Sequence, residues 1–375
     1  MSWSSHHSRS EKLAIEAELA VRAGDAPRAE TLYREAAEQE AAAFDAIEKG
    51  KDRTRGITAV SAVSLWYKGR DYSSAEQFAH RSLATGQLPP FAEVQLRNLL
   101  QSVWTAAAAA KAGVKFVRGD VLVSVRGGEV IYGGAPLDLI VRKVDGIQSL
   151  LFRTVEMLLE RPFRKRGGPP TDVQAMFRPW LFQAPAGSYQ FAVRMQEPEQ
   201  GRLFEDDRPK VDRVTSTFFR VLRAVTTDPE AELAAIVPDT QYRGAFLSLA
   251  RNLAPVGKAF ERLEIREASA PQEPFVSFVS DTRQELNAAL RKMRPTVPLT
   301  DAEESASIRG VLRAVHLDQD WLEIATTDVP PQHVHIDEAG DVLDDVIGPM
   351  VNRKVLVSAI RRGQKHIYRD IELDE

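Results

Sequence analysis

Two clusters and one helical pair in this 375-residue sequence combine residue types and spacings that could do chemistry. His333, His335 and Asp337 alternate with Val334 and Ile336, and in an extended strand positions i, i+2 and i+4 share a face. Two imidazoles and a carboxylate on one face suit a transition-metal ion, and His316 on a neighbouring strand would complete the set. The polar outer wall of a small barrel has the same pattern, and only the strand register separates the two readings. Arg161, Arg164, Lys165 and Arg166 fall in a glycine- and proline-rich stretch, 161–170. Four cations there suit phosphate or a nucleic-acid backbone, with Phe163 available to stack on a base. A solvated basic loop reads identically. Arg243 and Arg251 sit on one expected helix, where they either flank a pocket or pair with carboxylates at the edge of the core.

Other chemistry is excluded by what the chain lacks. There is no cysteine, so disulfides, thiolate zinc sites, iron–sulfur clusters and cysteine nucleophiles are ruled out. No GxxxxGK[ST] loop occurs, and Gly127-Gly128 and Gly133-Gly134 read as turn glycines. No GxSxG elbow occurs, and none of His6, His7, His80, His316, His333, His335 and His366 stands in a triad context. No catalytic residue and no cofactor is implied. With 43% hydrophobic and 27% charged residues and a net charge of −4, the chain is not of disordered composition. No window holds 18 apolar residues and the opening MSWSSHHSRSEK lacks an apolar signal core, so a cytoplasmic protein with no membrane partner is expected. Arginine outnumbers lysine and alanine is abundant, which reads as a GC-rich bacterial genome.

The elements that must position these residues change character along the chain. Residues 10–112 read as helices. Gly24-Asp25 separates the first two, and Pro27 suits the first turn of the second, which runs to about Lys49. A similar pair follows around Gly69-Arg70-Asp71-Tyr72, and a longer helix runs from about Phe91 to Ala112. Gly24-Asp25, then Ala29, Tyr33 and Ala36, match the turn and small–aromatic–small spacing at which helices cross closely. In these residues the segment resembles the tetratricopeptide repeat. The second pair keeps Asp71-Tyr72 and Ala75, but Phe78 comes one position early and Ser82 stands where alanine is usual. Ala29 and Ala75 lie 46 apart against a family period of about 34 residues. The resemblance implies helix–turn–helix stacking with a face for a protein partner, for which Tyr33, Trp66, Tyr67 and Tyr72 are the candidate contacts. The alternative is that the helices simply pack on the next domain.

Residues 113–293 read as an α+β domain. A hairpin is expected over 121–132 around Gly127-Gly128, followed by an amphipathic helix to about Glu160. A strand is expected over 189–195, then two or three helices capped by Asp228 and Asp239, two short strands and a last helix. Trp180 and Trp321 read as core or barrel anchors. Residues 294–306 look like a linker. Five short strands over 307–375 then suggest a small β-barrel, SH3-like or OB-like. The fold expected is thus multidomain α+β: a helical-repeat-like domain, an α+β middle domain and a small barrel.

Charge argues weakly for nucleic acid. Residues 1–112 carry 14 basic and 14 acidic side chains, whereas 269–375 carry 12 and 19. A nucleic-acid binder usually shows a basic domain. The expectation is therefore a non-catalytic scaffold, adaptor or regulatory subunit of a bacterial intracellular complex, with protein partners held by the N-terminal helices. A nucleic-acid-associated protein using the 161–166 loop and the barrel is the first alternative. An enzyme of unrecognised type in the middle domain is the second.

Overall fold

Two aspartates 46 residues apart, Asp25 and Asp71, start helices in the same way. Asp25 accepts from the Arg28 amide at 3.2 Å and Asp71 from the Ser74 amide at 3.0 Å. Each supplies an acceptor to one of the orphan N–H donors at a helix start. The turns before them are closed by equivalent bonds, Asp25 N to Ala20 O and Asp71 N to Trp66 O. Both turns pass through a left-handed residue. Gly24 adopts it freely, while Arg70 holds φ +57° despite its Cβ.

The structure is a computed structural model that describes residues 2–111, 121–131, 133–183, 189–196, 211–267, 275–293, 303–339 and 343–374. The chain divides into two compact units, 1–115 and 116–375.

The first unit contains five described helices: α1 Trp3–Arg22, α2 Ala26–Asp45, α3 Asp52–Lys68, α4 Tyr72–Ala84 and α5 Pro90–Lys111. Each packs on the next, and α3 also meets α5. Small residues make the crossings close, since Ala17, Ala29, Ala36, Ala62, Ala75 and Ala79 are all buried. Phe44, Trp66 and Phe78 fill the space that remains, with ring centroids 5.1–5.3 Å apart. The first helix starts well before residue 10. Ser2 caps it, the Trp3 indole donates to Thr58, and His7 donates to the buried Glu40 carboxylate at 3.0 Å. Those tertiary bonds stabilise a first turn whose composition alone gave no helical signal.

The second unit opens with a five-stranded antiparallel sheet in the order β2-β3-β1-β4-β5. Its strands are β1 Val121–Arg126, β2 Pro179–Gln183, β3 Tyr189–Met195, β4 Arg262–Glu267 and β5 Val276–Phe278. Helix α6 (Leu137–Leu158) and the short α7 (Thr171–Met176) lie between β1 and β2. Helices α8 (Val211–Thr227), α9 (Ala231–Ile236) and α10 (Thr240–Leu253) lie between β3 and β4, and α11 (Ser280–Met293) follows β5. This is a split βαβ order. Val121, Val123 and Val125, with Phe191, Val193, Leu263 and Ile265, turn one face to the main core. Leu122 and Ala192 on the other face form a separate small cluster with Phe182.

The hairpin expected over 121–132 is not what forms. Tyr132 lies outside the described residues, and Ile131 makes only an isolated bridge to Gly134. Both edges of β1 are taken, by β3 and by β4, so no edge remains for a hairpin partner.

A second sheet closes on itself in the order β10-β8-β7-β6-β9. It consists of β6 Glu303–His316, β7 Trp321–Thr326, β8 His333–Asp337, β9 Lys354–Arg362 and β10 Lys365–Leu373, with a π turn (Leu343–Ile347) and a 3-10 turn (Gly348–Met350) between β8 and β9. Strand β6 pairs with both β7 and β9, and β7 approaches its backbone closely at Gly310. A Cβ there would lie 2.2 Å from the Ala325 carbonyl oxygen. Of the stretch expected as a linker, 294–302 falls outside the described residues and Glu303 already begins β6. The two sheets belong to one unit, because a continuous apolar core runs through both.

Candidate functional site

The four aromatic side chains expected to meet a partner are placed differently from one another. Tyr33 and Trp66 are buried in the helical core, where the close helix crossings demand large fillers. Tyr67 and Tyr72 are half-buried and pair with each other, centroids 6.1 Å apart. Tyr72 also hydrogen-bonds Arg70 and, with Glu30, holds that guanidinium charged more firmly than usual. The side chains that stand out from this unit are others: Ile15 and Leu19 on α1, Ile57 on α3, and Phe91, Val94 and Trp104 on α5. Ile15 is 59% exposed and Val94 57%. Their signal in the sequence is positional, since Ile15 and Leu19 fall off the stripe set by Ala17 and Ala20.

The basic loop is engaged inside the protein. Arg161 pairs with Asp172 at 2.6 Å, and Arg166 reaches Asp320 at 3.5 Å and the Asp318 carbonyl at 3.2 Å. Arg164 also donates to the Gly167 carbonyl and completes a four-membered ionic network. Its guanidinium meets Glu156 at 2.9 Å and Asp345 at 3.3 Å, while Arg153 meets the same two carboxylates at 3.4 Å and 2.5 Å. Arg153 is 1% exposed. Two cations and two anions balance, as burial of charge requires. Phe163 is not offered to a base: Arg153 covers its ring at 4.7 Å, and Tyr242 meets it edge-on at 5.2 Å. Burial, followed by the Glu156 carboxylate, pushes the Tyr242 phenol up to about 12.

The histidine strand does not converge on one point. His333 pairs with Glu323 at 2.6 Å and His335 with Asp337 at 3.2 Å, each on the surface of the closed sheet. His316 lies opposite Trp321, and Trp321 opposite Asp337, so the indole stands between His316 and the histidine strand. The rings meet in tilted contact instead, with Trp321 5.3 Å from His316 and 4.7 Å from His335. Among the described residues no three His, Asp or Glu side chains gather as a metal would need.

Arg243 and Arg251 part company. Arg243 caps backbone carbonyls of Val237 and Pro238. Arg251 is buried, and bonds Asp370 at 2.8 Å, Asn287 at 3.1 Å and the Ile371 carbonyl at 2.6 Å. Burial, then the neighbouring Arg251 charge, lowers the pKa of Arg283 beside it.

A partly open pocket in the second unit was not foreseen. It is a cavity of about 60 Å³ between α6, α10, residues 256–260 and the 345–350 segment. Leu249, Phe260, Val346 and Met350 give it apolar walls, and Lys143, Asp145 and Asn252 bring polar groups to it. The Lys143 ammonium donates to the Asn252 carbonyl at 2.8 Å and lies 4.4 Å from the Phe260 ring centre, a cation–π arrangement. Burial raises the Asp145 carboxyl above the ordinary aspartate value. The volume suits a few waters or a small polar group. A lysine inside the apolar stripe Ile140, Ile147, Leu151 was the available signal. No helix among the described residues is long and apolar enough to cross a membrane. Compared with known proteins, the chain matches no family model, no curated protein and no solved structure.

Proposed function

We propose that this chain is a non-catalytic adaptor or regulatory subunit of a bacterial cytoplasmic protein complex, and that its helical unit, read as tetratricopeptide-like, holds the partner. In this reading the closed C-terminal sheet is a small barrel of SH3-like or OB-like type that serves as a second module. The observation that carries the proposal is the set Ile15, Leu19, Ile57, Phe91, Val94 and Trp104, large apolar side chains left exposed on a unit that buries Tyr33, Phe44, Trp66 and Phe78. Ile15 and Leu19 lie one turn apart on α1, as Phe91 and Val94 do on α5, and local exposed apolar patches of that kind mark interaction sites. Balanced charge over residues 1–112 fits a partner held by shape and apolar contact. The alternative through the 161–166 loop has no support from its arginines, which face carboxylates and carbonyls of this chain.

The test is affinity capture from the native host with the full chain and with an Ile15→Ser, Leu19→Ser, Val94→Ser variant of unchanged circular dichroism. Partners enriched by the full chain and lost with the variant support the reading. The same partners retained by both would sink it.

A further inference from the structure

In the second unit, the pocket bounded by α6, α10, residues 256–260 and the 345–350 segment joins apolar walls to one polar requirement that the chain leaves unmet. Leu139, Lys143 and Gly146 recur at helical spacing along α6 and form one side. A Cβ at Gly146 would lie 3.2 Å from Leu253, so the glycine lets α10 approach there. Leu249, Phe260, Val346 and Met350, each at most 2% exposed, make the apolar lining. Part of the wall belongs to the π turn Leu343–Ile347, a rare geometry that recurs at functional sites.

The charges around this pocket are largely answered by the protein itself. Lys143 donates to the Asn252 main-chain carbonyl and lies over the Phe260 ring. Arg142 pairs with Asp138 at 3.1 Å, and Asp345 is held by Arg153 and Arg164. With Asp145 also at the lining, two cations and two carboxylates balance. A charged ligand would lose its hydration there and gain no net attraction. The Asn252 side chain is different. Its Oδ1 is buried and has no hydrogen-bond partner among the described residues. A buried acceptor without a donor is costly, and such atoms are few in folded proteins. Half-buried Ser149 brings a hydroxyl to the same pocket.

We infer that this pocket binds a small neutral primary amide on an apolar stem. The amide N–H would donate to Asn252 Oδ1, with the stem against Leu249, Val346 and Met350. An amide carries a donor and an acceptor together, so it complements both halves of the Asn252 carboxamide. A carboxylate or a ketone offers acceptors only and leaves Oδ1 unmet. An ammonium donates, but it would meet the cations of Lys143 and Arg142 at the lining. The volume of about 60 Å³ limits the ligand to a short stem. The inference is independent of the adaptor reading, which concerns the helical unit.

The experiment titrates the full chain with three ligands of one shape, isobutyramide, isobutyrate and isopropyl methyl ketone, read by saturation-transfer NMR. The amide is expected to bind in the millimolar range, as ligands so small do. It should bind about tenfold more tightly than either analogue, because only the amide supplies the missing donor. Asn252→Leu removes the acceptor and keeps the main-chain bond to Lys143. It is expected to lower amide affinity about tenfold and to abolish the preference over the ketone. Ser149→Leu, which narrows the pocket from α6, is expected to weaken the amide without touching residue 252. The preference of the native chain needs no variant and decides the question even where a variant fails to fold. No amide binding by the native chain overturns the inference. Equal binding of amide and ketone does so too, since Oδ1 would then be met by solvent. So does amide affinity unchanged in a folded Asn252→Leu chain or, should that chain not fold, in Ser149→Leu.

Discussion

The helical unit and the sheet unit are held together by different chemistry. In the first, interior positions are mostly alanine and aromatic, and neighbouring helices in sequence are neighbours in space. In the second, cations and anions are buried alongside the apolar core, and they join segments far apart in the chain. Arg153 meets Asp345, Arg251 meets Asp370, and Arg283 meets Glu372. Each of these pairs links a helix of the open sheet to the closed sheet or the turn before its last strands. Apolar crossings between sequential helices tolerate irregular repeats, since each needs only its neighbour. A buried ionic tie has no such tolerance, because either partner left alone is an unpaired charge in a low dielectric. The second unit thus adds a few long-range ionic ties to a large apolar core, whereas the first relies chiefly on apolar crossings between sequential helices.

That contrast can be broken most strongly at Arg153. Replacing it by alanine leaves Glu156 and Asp345 with Arg164 alone, and the expected loss is about 3–5 kcal/mol in the second unit. Amide hydrogen exchange by mass spectrometry checks this, with faster exchange expected in α6 and the closed sheet and none in α1 to α5. Exchange rising equally in both units would show that they do not unfold separately. Next comes Ala36→Leu, which forces a larger side chain into a fully buried helix crossing. Overpacking there is expected to cost about 1–3 kcal/mol, read as a lower denaturation midpoint of the first unit only.

A finer test compares the two equivalent turns. Asp25→Ala and Asp71→Ala each remove one side-chain acceptor at a helix start and are each expected to cost about 1 kcal/mol. Urea denaturation should find the two losses alike. A loss confined to one would mean that the 46-residue correspondence does not extend to energetics. The smallest effect concerns Asp145. Burial holds its folded pKa above the unfolded value of 3.8, so the carboxyl adds stability below that value and loses it as pH rises through the folded pKa. Asp145→Asn should therefore gain on the native chain between pH 3 and 7. A urea midpoint difference that is flat with pH would count against that environment.

What the sequence made legible was chiefly local. The periodicity of α6, the Asp239 start, and the strand at Tyr189–Met195 were all readable from spacing and capping residues, whereas the helix expected from Asp228-Pro229 begins only at Ala231. So were the five strands of the C-terminal sheet, each an alternating run between turn residues. The misreadings share a cause. Gly127-Gly128 forms a turn, but whether β1 pairs with the next run or with β3 and β4 depends on strands remote in sequence. The first turn of α1 is helical because Trp3 and His7 find Thr58 and Glu40 on other helices. The candidate sites fared likewise. Residue types at 161–166 identified a cluster of charge, while the carboxylates that absorb it lie between 8 and 181 positions away. Lys143 was visible only as an interruption of an apolar stripe.

While β2 and α7 were not expected from it, the sequence by itself determined most of the helices, the strands of the C-terminal sheet, and the absence of thiol chemistry. These follow from backbone sterics, side-chain periodicity and composition, which act over a few residues. Only the tertiary structure decided which charges are spent. Arg153 and Asp345 are 192 residues apart, and their bond exists because α6 and the π turn happen to be brought together by a core that neither encodes alone. Electrostatic partnership depends on distance in space, and that distance is a property of the packed chain as a whole.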